Sequence, residues 1–293
     1  MRLSGVIPTM GGMGSPLPVV PMSLSPSRAA DFKNCPLLYR FRSIDRLPEE
    51  PTPEMARGTL VHAVLERLYD VPAVERTSAR AVSLVEPEWA RLLVEDTAIA
   101  GIFAAEDPRL EPWLASVRDL VEGYFSVEDP TRLEPAERET LVEATLDDGL
   151  VLRGYVDRLD VSPAGDVRVV DYKTGKAPAE AFENKALFQL RFYALVLWRT
   201  RGVVPRMLRL LYLRDKVVLD HSPDAEELER FERALKALWS AIEQALETGE
   251  FAPKPGRLCS WCPHQDKCPE FGGTPPPYPG APGRDGVVTP PRG

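Results

Sequence analysis

The sequence has no apolar run near the ~18–20 residues that a membrane span requires. The longest candidate, Ala186 to Trp198, is interrupted by Gln189 and Arg191. Near the N-terminus, Pro8, Pro16 and Pro18 break any signal-like apolar core, so a cytoplasmic protein is expected. There is no G-x-x-x-x-G-K-[ST] phosphate loop, which excludes a motor of the helicase type within this chain. No segment repeats at a fixed period. An excess of positive charge is also missing: the formal net charge is −8. That weighs against a chain that holds phosphates by bulk charge, but nucleic-acid binding depends on local charge. Two stretches are locally basic. One holds Lys33, Arg40, Arg42 and Arg46, the other Arg199, Arg201, Arg206, Arg209, Arg214 and Lys216. Either is equally a solvated face. Histidine is scarce, with three residues, and cysteine nearly so, with four. Scarce residues of these types draw attention when they cluster, and in a reducing cytosol clustered cysteines point to a metal rather than to disulfides.

The chain organises into one folded region between two irregular ends. Residues 1–22, rich in Gly, Pro and Met, are expected to be a disordered leader, with Met22 a candidate alternative start. Residues 272–293 are dense in Pro and Gly and are expected to be a disordered tail. Between them, 23–271 reads as a single domain. Ser25-Pro26 looks like a helix cap with proline at the first helical position, starting a helix to about Tyr39. Gly58 to Tyr69 carries apolar residues at helical spacing. Residues 79–126 read as helical with breaks at Pro87, Pro108 and Pro112. Strands are then expected at 140–146, 151–161 and 166–172, separated by Asp147-Asp148-Gly149 and Pro163-Ala164-Gly165 as turns. A helix over 179–201, a strand over 206–213 and an amphipathic helix over 224–248 complete the order. This predicts an α/β fold, a sheet with helices packed on it.

The stretch richest in chemistry is Gly154-Tyr155-Val156-Asp157 followed by Asp171-Tyr172-Lys173. Carboxylates on adjacent strands suit a hard divalent cation such as Mg²⁺ or Mn²⁺. Such a cation neutralises phosphate charge and lowers the pKa of an attacking water. Lys173 lies two residues beyond Asp171, so both side chains leave a strand on one face. Taken alone, the same residues also suit polar strand ends with a lysine ion-pair partner. His62 lies on an otherwise apolar helix face with Glu66 one turn on, and Gln189 and Tyr193 are one turn apart.

In order, G-x-x-x-H (Gly58, His62), G-x-x-D (Gly154, Asp157), D-x-K (Asp171, Lys173) and Q-x-x-x-Y (Gln189, Tyr193) resemble the RecB-like branch of the PD-(D/E)XK nuclease superfamily. Leu24-Ser25-Pro26-Ser27-Arg28 and Cys35-Pro36-Leu37-Leu38-Tyr39 are similar to the opening of that family, and the resemblance covers about 23–271. It implies a restriction-endonuclease-like core, with a central mixed sheet flanked by helices, and a Mg²⁺- or Mn²⁺-dependent deoxyribonuclease. Such an enzyme would act on single strands or ends in DNA repair or recombination, alone or with a separate helicase. The resemblance further implies that His62, Asp157, Asp171 and the Tyr172 carbonyl hold the metal. Lys173 would act on the nucleophilic water, and Gln189 and Tyr193 would orient Lys173 or the DNA. A glutamate on the strand before Gly154 is also implied, and Glu143 is chosen over Glu139.

Cys259, Cys262 and Cys268 form C-x2-C-x5-C, with Cys35 far upstream. That arrangement resembles the iron–sulfur members of the superfamily, the AddB-type subunit and the CRISPR-associated exonuclease-like proteins. It implies a 4Fe–4S cluster joining the two ends of the domain, with zinc on the same four thiolates as the alternative. Tyr39, Arg40 and Arg42 would then touch DNA. Two other functions remain open on the residues: an inactive DNA-end binding or scaffold module, and a metal-stapled interaction protein.

Overall fold

The computed structural model describes residues 23–104, 106–179 and 186–280. The expected leader therefore lies outside the described residues, as do 281–293 of the expected tail and the first part of the helix expected from residue 179.

The N-terminal half is mostly helical. Strand β1 (Ser23–Leu24) leads into α1 (Pro26–Asn34), capped by the Ser25 side chain, which accepts from Arg28 N at 3.3 Å. The expected single helix to Tyr39 is broken at Cys35, whose extended backbone (φ −161°) separates α1 from α2 (Pro36–Tyr39). A π-helical turn, Arg40–Ile44, follows. Helix α3 (Pro53–Leu68) is capped by Thr52 and carries His62. Then come α4 (Ser78–Val82), α5 (Val85–Glu95), α6 (Thr97–Ala100) and α7 (Leu110–Tyr124). Pro87 and Pro112, expected as breaks, sit at the third residue of α5 and of α7. In a first turn the missing N–H would have no intrahelical partner, so proline starts a helix there rather than ending one.

The remaining strands are β2 (Glu137–Thr145), β3 (Val151–Val161), β4 (Val167–Lys173), β5 (Met207–Tyr212) and β6 (Val217–His221), with α8 (Phe188–Arg201) between β4 and β5 and α9 (Ala225–Thr248) last. They build one mixed six-stranded sheet in the order β1-β3-β4-β5-β6, with β2 on β3. β1 and β6 were absent from the sequence reading, β1 because two residues carry no period and β6 because its alternation is short.

Alternation along β5 shows how the sheet is sandwiched. Leu208, Leu210 and Tyr212 join the core formed with α1, α8 and α9, whereas Leu211 and Leu213 join the core formed with α3, α5 and α7. Both faces are therefore covered by helices, as a sheet with parallel strands at its centre requires. On the second face α7 approaches so closely that a β-carbon at Gly123 would lie 2.4 Å from the Leu213 carbonyl oxygen.

The Pro-rich segment does not peel away from the body as expected. Tyr278 donates to the Leu246 carbonyl at 2.7 Å and packs its ring 5.7 Å from that of Phe251. This part-buried aromatic side chain joins a segment without secondary structure of its own to the end of α9. Among the described residues no helix is long and apolar enough to cross a membrane.

Candidate active site

The site lies where β3 runs out of partners along one edge. β2 pairs with β3 along its length, from Glu137↔Leu159 to Thr145↔Val151. On the opposite edge, β1 takes Val151 and Leu152, and β4 takes Arg158 to Val161. Residues 153–157 are left between those two ladders. Gly154 and Asp157 both fall in this gap, and Asp171 stands one residue beyond the last β3–β4 pair, Arg158↔Val170.

The gap is closed by side chains. Asp157 Oδ2 accepts the Tyr172 amide N–H at 2.8 Å, replacing the ladder partner that Tyr172 lacks on this side. From α3, His62 Nε2 donates to the Tyr172 carbonyl at 3.0 Å. That leaves Nδ1 facing carboxylates, 3.5 Å from Asp157 Oδ2 and 3.6 Å from Glu139 Oε1. His62, Glu139 and Asp157 each offer a ligand atom within 4.8 Å of the other two.

Asp171 completes the acidic group. It is 1% exposed, and neither carboxylate oxygen has a hydrogen-bond partner. Lys173 Nζ lies 2.6 Å from Asp171 Oδ2. Apart from this ion pair the carboxylate is buried without partners, and a buried carboxylate with unused lone pairs suits coordination to a further cation. The residues present therefore fit a divalent metal. The titration behaviour agrees. Burial, and next the neighbouring Asp171 charge, push the Asp157 carboxyl well above its usual range. Burial alone would lower His62, but Asp157, Glu139 and Asp171 outweigh it and push the imidazole up to about 9. For Lys173 burial again opposes the charge, and Asp171 prevails to hold the ammonium above its ordinary value.

A second shell ties α8 to the lysine. Lys173 Nζ donates to Gln189 Oε1 at 2.9 Å, and Gln189 Nε2 donates to Tyr193 OH at 2.9 Å. Tyr193 lies against β3 at Gly154, where a β-carbon would sit 2.7 Å from Tyr193 Cε1 and 3.4 Å from Pro26 Cδ. The glycine of G-x-x-D is thus required by the tyrosine of Q-x-x-x-Y. Gly154→Ala is expected to displace Tyr193, loosen Gln189 and lower any cleavage at this site about ten- to a hundredfold, the scale that a misplacement near 1 Å causes. Comparing cleavage rates and melting temperatures of the variant and the parent protein checks this, and unchanged cleavage rejects the coupling.

Behind this face, Arg158 is fully buried. It donates to Tyr172 OH at 2.9 Å and Tyr69 OH at 3.0 Å, and pairs with Glu128 at 2.6 Å and Asp160 at 3.0 Å. Tyr172, between Asp171 and Lys173, is thereby fixed at its tip as well as at its backbone. Sequence reasoning missed Arg158, whose neighbours 69, 128 and 172 are scattered along the chain.

The expected metal group is corrected at one position. Glu143 stands opposite Arg153 on β3, 3.9 Å from its guanidinium, and Glu139 is the glutamate brought to His62 and Asp157. The reason is register. The pairs Arg138↔Arg158 and Thr140↔Val156 flank the position where Glu139 faces Asp157. Glu143 is four residues away, about 13 Å along a strand. Glu139 also has φ 42°, an unusual backbone for a non-glycine residue, at this same position.

Of the expected DNA contacts Tyr39 and Arg40 are corrected, being buried. Tyr39 is 4% exposed and packs on Phe32 and Phe251. Arg40 is 6% exposed, paired with Asp45 at 3.0 Å and bonded to the Pro276 carbonyl. Arg42 is partly exposed but clamped between Glu49 at 2.7 Å and Asp31 at 2.8 Å. These side chains hold the N-terminal turns to the C-terminal segment. In the second basic stretch Arg199, Arg201 and Arg209 are likewise engaged, by Glu232, Glu137 and Asp220.

The four cysteines, which are not disulfide-bonded, line one cavity of about 240 Å³ between Cys35 at the α1–α2 break and three short turns after α9. The Lys254 N–H points to Cys35 Sγ at 3.4 Å and the Gly256 N–H to Cys259 Sγ at 3.3 Å. Burial pushes the Cys262 thiol up. His264 is engaged elsewhere, 2.7 Å from Glu49.

The family profile of the PD-(D/E)XK nuclease superfamily matches residues 23–269. The chain belongs to this superfamily. Its members use divalent metals and hydrolyse phosphodiesters. Among curated proteins the chain is similar to Gene 69 protein of Mycobacterium phage D29, 28% identical over 275 residues and covering 84% of this chain and 96% of the relative. It is also similar to Gene 69 protein of Mycobacterium phage L5, 25% identical over 293 residues with the same coverage. Among solved structures, a candidate exonuclease from Eubacterium rectale superposes with a TM-score of 0.55 at 12% identity, covering 83% of this chain and 88% of that one. At that identity the likeness concerns the fold: a mixed central sheet flanked by helices, consistent with a restriction-endonuclease-like core.

Proposed function

We propose that this nuclease is a Mg²⁺- or Mn²⁺-dependent deoxyribonuclease of the RecB-like branch, acting on single strands or ends in DNA repair or recombination. The observation that carries the reading is the buried Asp171 carboxylate, ion-paired with Lys173, beside His62, Glu139 and Asp157. His62, Glu139, Asp157 and Asp171 would hold the metal, with the Tyr172 carbonyl adjacent. A divalent cation there would neutralise phosphate charge and lower the pKa of the attacking water. Lys173 presents three N–H donors. Gln189 takes one and the Asp171 carboxylate faces another, so the third is available to the water or the scissile phosphate, where it would stabilise developing negative charge. Gln189 and Tyr193 hold the ammonium in place.

We infer further that the four thiolates hold a 4Fe–4S cluster. Support comes from the common cavity and from the backbone N–H groups aimed at two sulfurs, since hydrogen bonds to sulfur tune such clusters. A single zinc ion, about 2.3 Å from each sulfur, fills only a fraction of a cavity of that size. The role is structural, joining α1–α2 to the segment after α9.

The test is anaerobically purified protein, analysed for iron and zinc and then incubated with labelled single-stranded DNA with and without Mg²⁺ or Mn²⁺. Degradation only with added metal supports the reading. Binding without cleavage under every condition would replace the enzyme with a DNA-binding module.

The raised pKa of His62 also sets a pH dependence. A group whose folded pKa lies above its unfolded value stabilises the fold fully below the unfolded pKa, and loses that contribution as pH rises through the folded one. For His62 the window runs from about 6.5 to about 9. The raised carboxyl of Asp157 acts in the same direction, because its ionisation on going to higher pH is disfavoured in the folded state. Without added cation, the melting temperature is therefore expected to fall across this window. Added Mn²⁺, which competes with these protons, should stabilise more as pH rises. Thermal melts at pH 6.5, 7.5 and 9 with and without Mn²⁺ measure both. A Mn²⁺ stabilisation independent of pH would remove His62 and Asp157 from the ligand set.

A further inference from the structure

A cavity of about 620 Å³ is lined in part by Gln189 and Tyr193. Its walls come from the β1–α1 junction and from the β2–β3 ladder, and include Arg28, Leu141, Arg153 and Tyr155. Among the described residues two arginines line it and no aspartate or glutamate does, in a chain whose net charge is −8. Arg28 is held in place by the Ser23 carbonyl at 2.9 Å. Burial, with Arg46 and Arg153 nearby, keeps its guanidinium below its ordinary value, so positive charge converges here. The one carboxylate facing Arg153, on Glu143, is 3.9 Å away and outside the lining.

The apolar component is equally specific. Leu141 and Tyr155 are cross-strand partners, so their side chains stand on one face of the ladder. They are 43% and 58% exposed, next to Gly154 and the gap that holds the site. An exposed apolar pair between cations, leading to a phosphodiesterase centre, matches what an unpaired strand offers: flat base faces alternating with phosphates.

We propose that this groove carries one DNA strand to the site, with Tyr155 and Leu141 as the platform on which a base stacks and Arg28 and Arg153 holding the flanking phosphates. The proposal rests on the nuclease reading and adds the residues that would hold a single strand and select it over a duplex. A duplex keeps its base faces stacked inside, so a groove that holds by stacking selects a single strand.

The test uses the full chain carrying Lys173→Ala to suppress cleavage, with Mg²⁺ and a fluorescein-labelled thymidine 12-mer, read by anisotropy. Adding Tyr155→Ala is expected to weaken binding about tenfold, the scale of one base–aromatic stack. Tyr155→Phe should restore it. Arg153→Gln should lower the slope of log affinity against log salt by about one. Val203→Ala, an exposed residue outside the groove, is the control. A blunt duplex of the same length should bind at least tenfold more weakly than the single strand. The groove assignment is overturned if Tyr155→Ala binds the strand like its parent, if the duplex binds as well as the strand, or if the parent binds neither. Cleavage by the chain with Lys173 intact is scored separately. Binding that depends on Tyr155 in a protein that never cuts keeps the groove and removes the enzyme, whereas cutting that ignores Tyr155 removes the groove and keeps the enzyme.

Discussion

Replacing Lys173 with alanine is expected to lower metal-dependent cleavage by about a hundred- to a thousandfold, the cost of removing one pre-placed donor from a developing charge. The fold should survive, since Lys173 is part-exposed and its loss opens no cavity between the two cores. Asp171→Ala should be at least as damaging, because it removes a proposed metal ligand together with the partner that holds the lysine. The two effects should not add. Lys173, Asp171, Gln189 and Tyr193 form one connected chain of contacts, and residues acting as a unit give non-additive losses. The measurement is single-turnover cleavage of labelled single-stranded DNA by each variant and by the double variant, with circular dichroism to verify folding. Parent-like cutting by either single variant would show that the reacting phosphate sits elsewhere.

The second large effect concerns the cysteines. On the proposed 4Fe–4S cluster, Cys259→Ala is expected to release iron, abolish visible absorption and lower the melting temperature steeply. Structural metals bind with apparent free energies of about 10–16 kcal/mol in small zinc domains. Whole domains are stable by only about 5–15 kcal/mol, so losing even a part of such a contribution is severe. The damage should be uneven. Arg40 still reaches the Pro276 carbonyl, and Tyr278 still packs beside Phe251. The turns from 257 to 271, which contain no buried apolar residue, are held besides the cysteines mainly through the buried His264, bonded to Glu49. Limited proteolysis should therefore cut first in 254–271, before the sheet opens. A Cys259→Ala protein that keeps its iron and its melting temperature would refute the cluster.

Much of this protein was determined locally and was legible without a structure. D-x-K works because residues two apart on a strand share a face. Q-x-x-x-Y works because residues four apart on a helix are neighbours. The structure does bring Asp171 to Lys173 and Gln189 to Tyr193, and adds the bond between Lys173 and Gln189. Strand and helix order was legible for the same reason, since period 2 and period 3.6 are properties of a few consecutive residues. What only the tertiary structure decided were matters of register and burial. Glu139 and Glu143 lie on one strand and differ by an even number of positions, so no strand period separates them. The pairing that sets Glu139 opposite Asp157, and Glu143 opposite Arg153, does. Tyr39 and Arg40 read as an exposed aromatic–cation pair until the chain end folds over them. Gly154 reads as the glycine of a motif inside a strand, without a reason for being glycine, until Tyr193, 39 positions later in the sequence, is found against it. In each case the deciding neighbour is remote along the chain, and a sequence records a residue's neighbours along the chain but not those that packing brings to it.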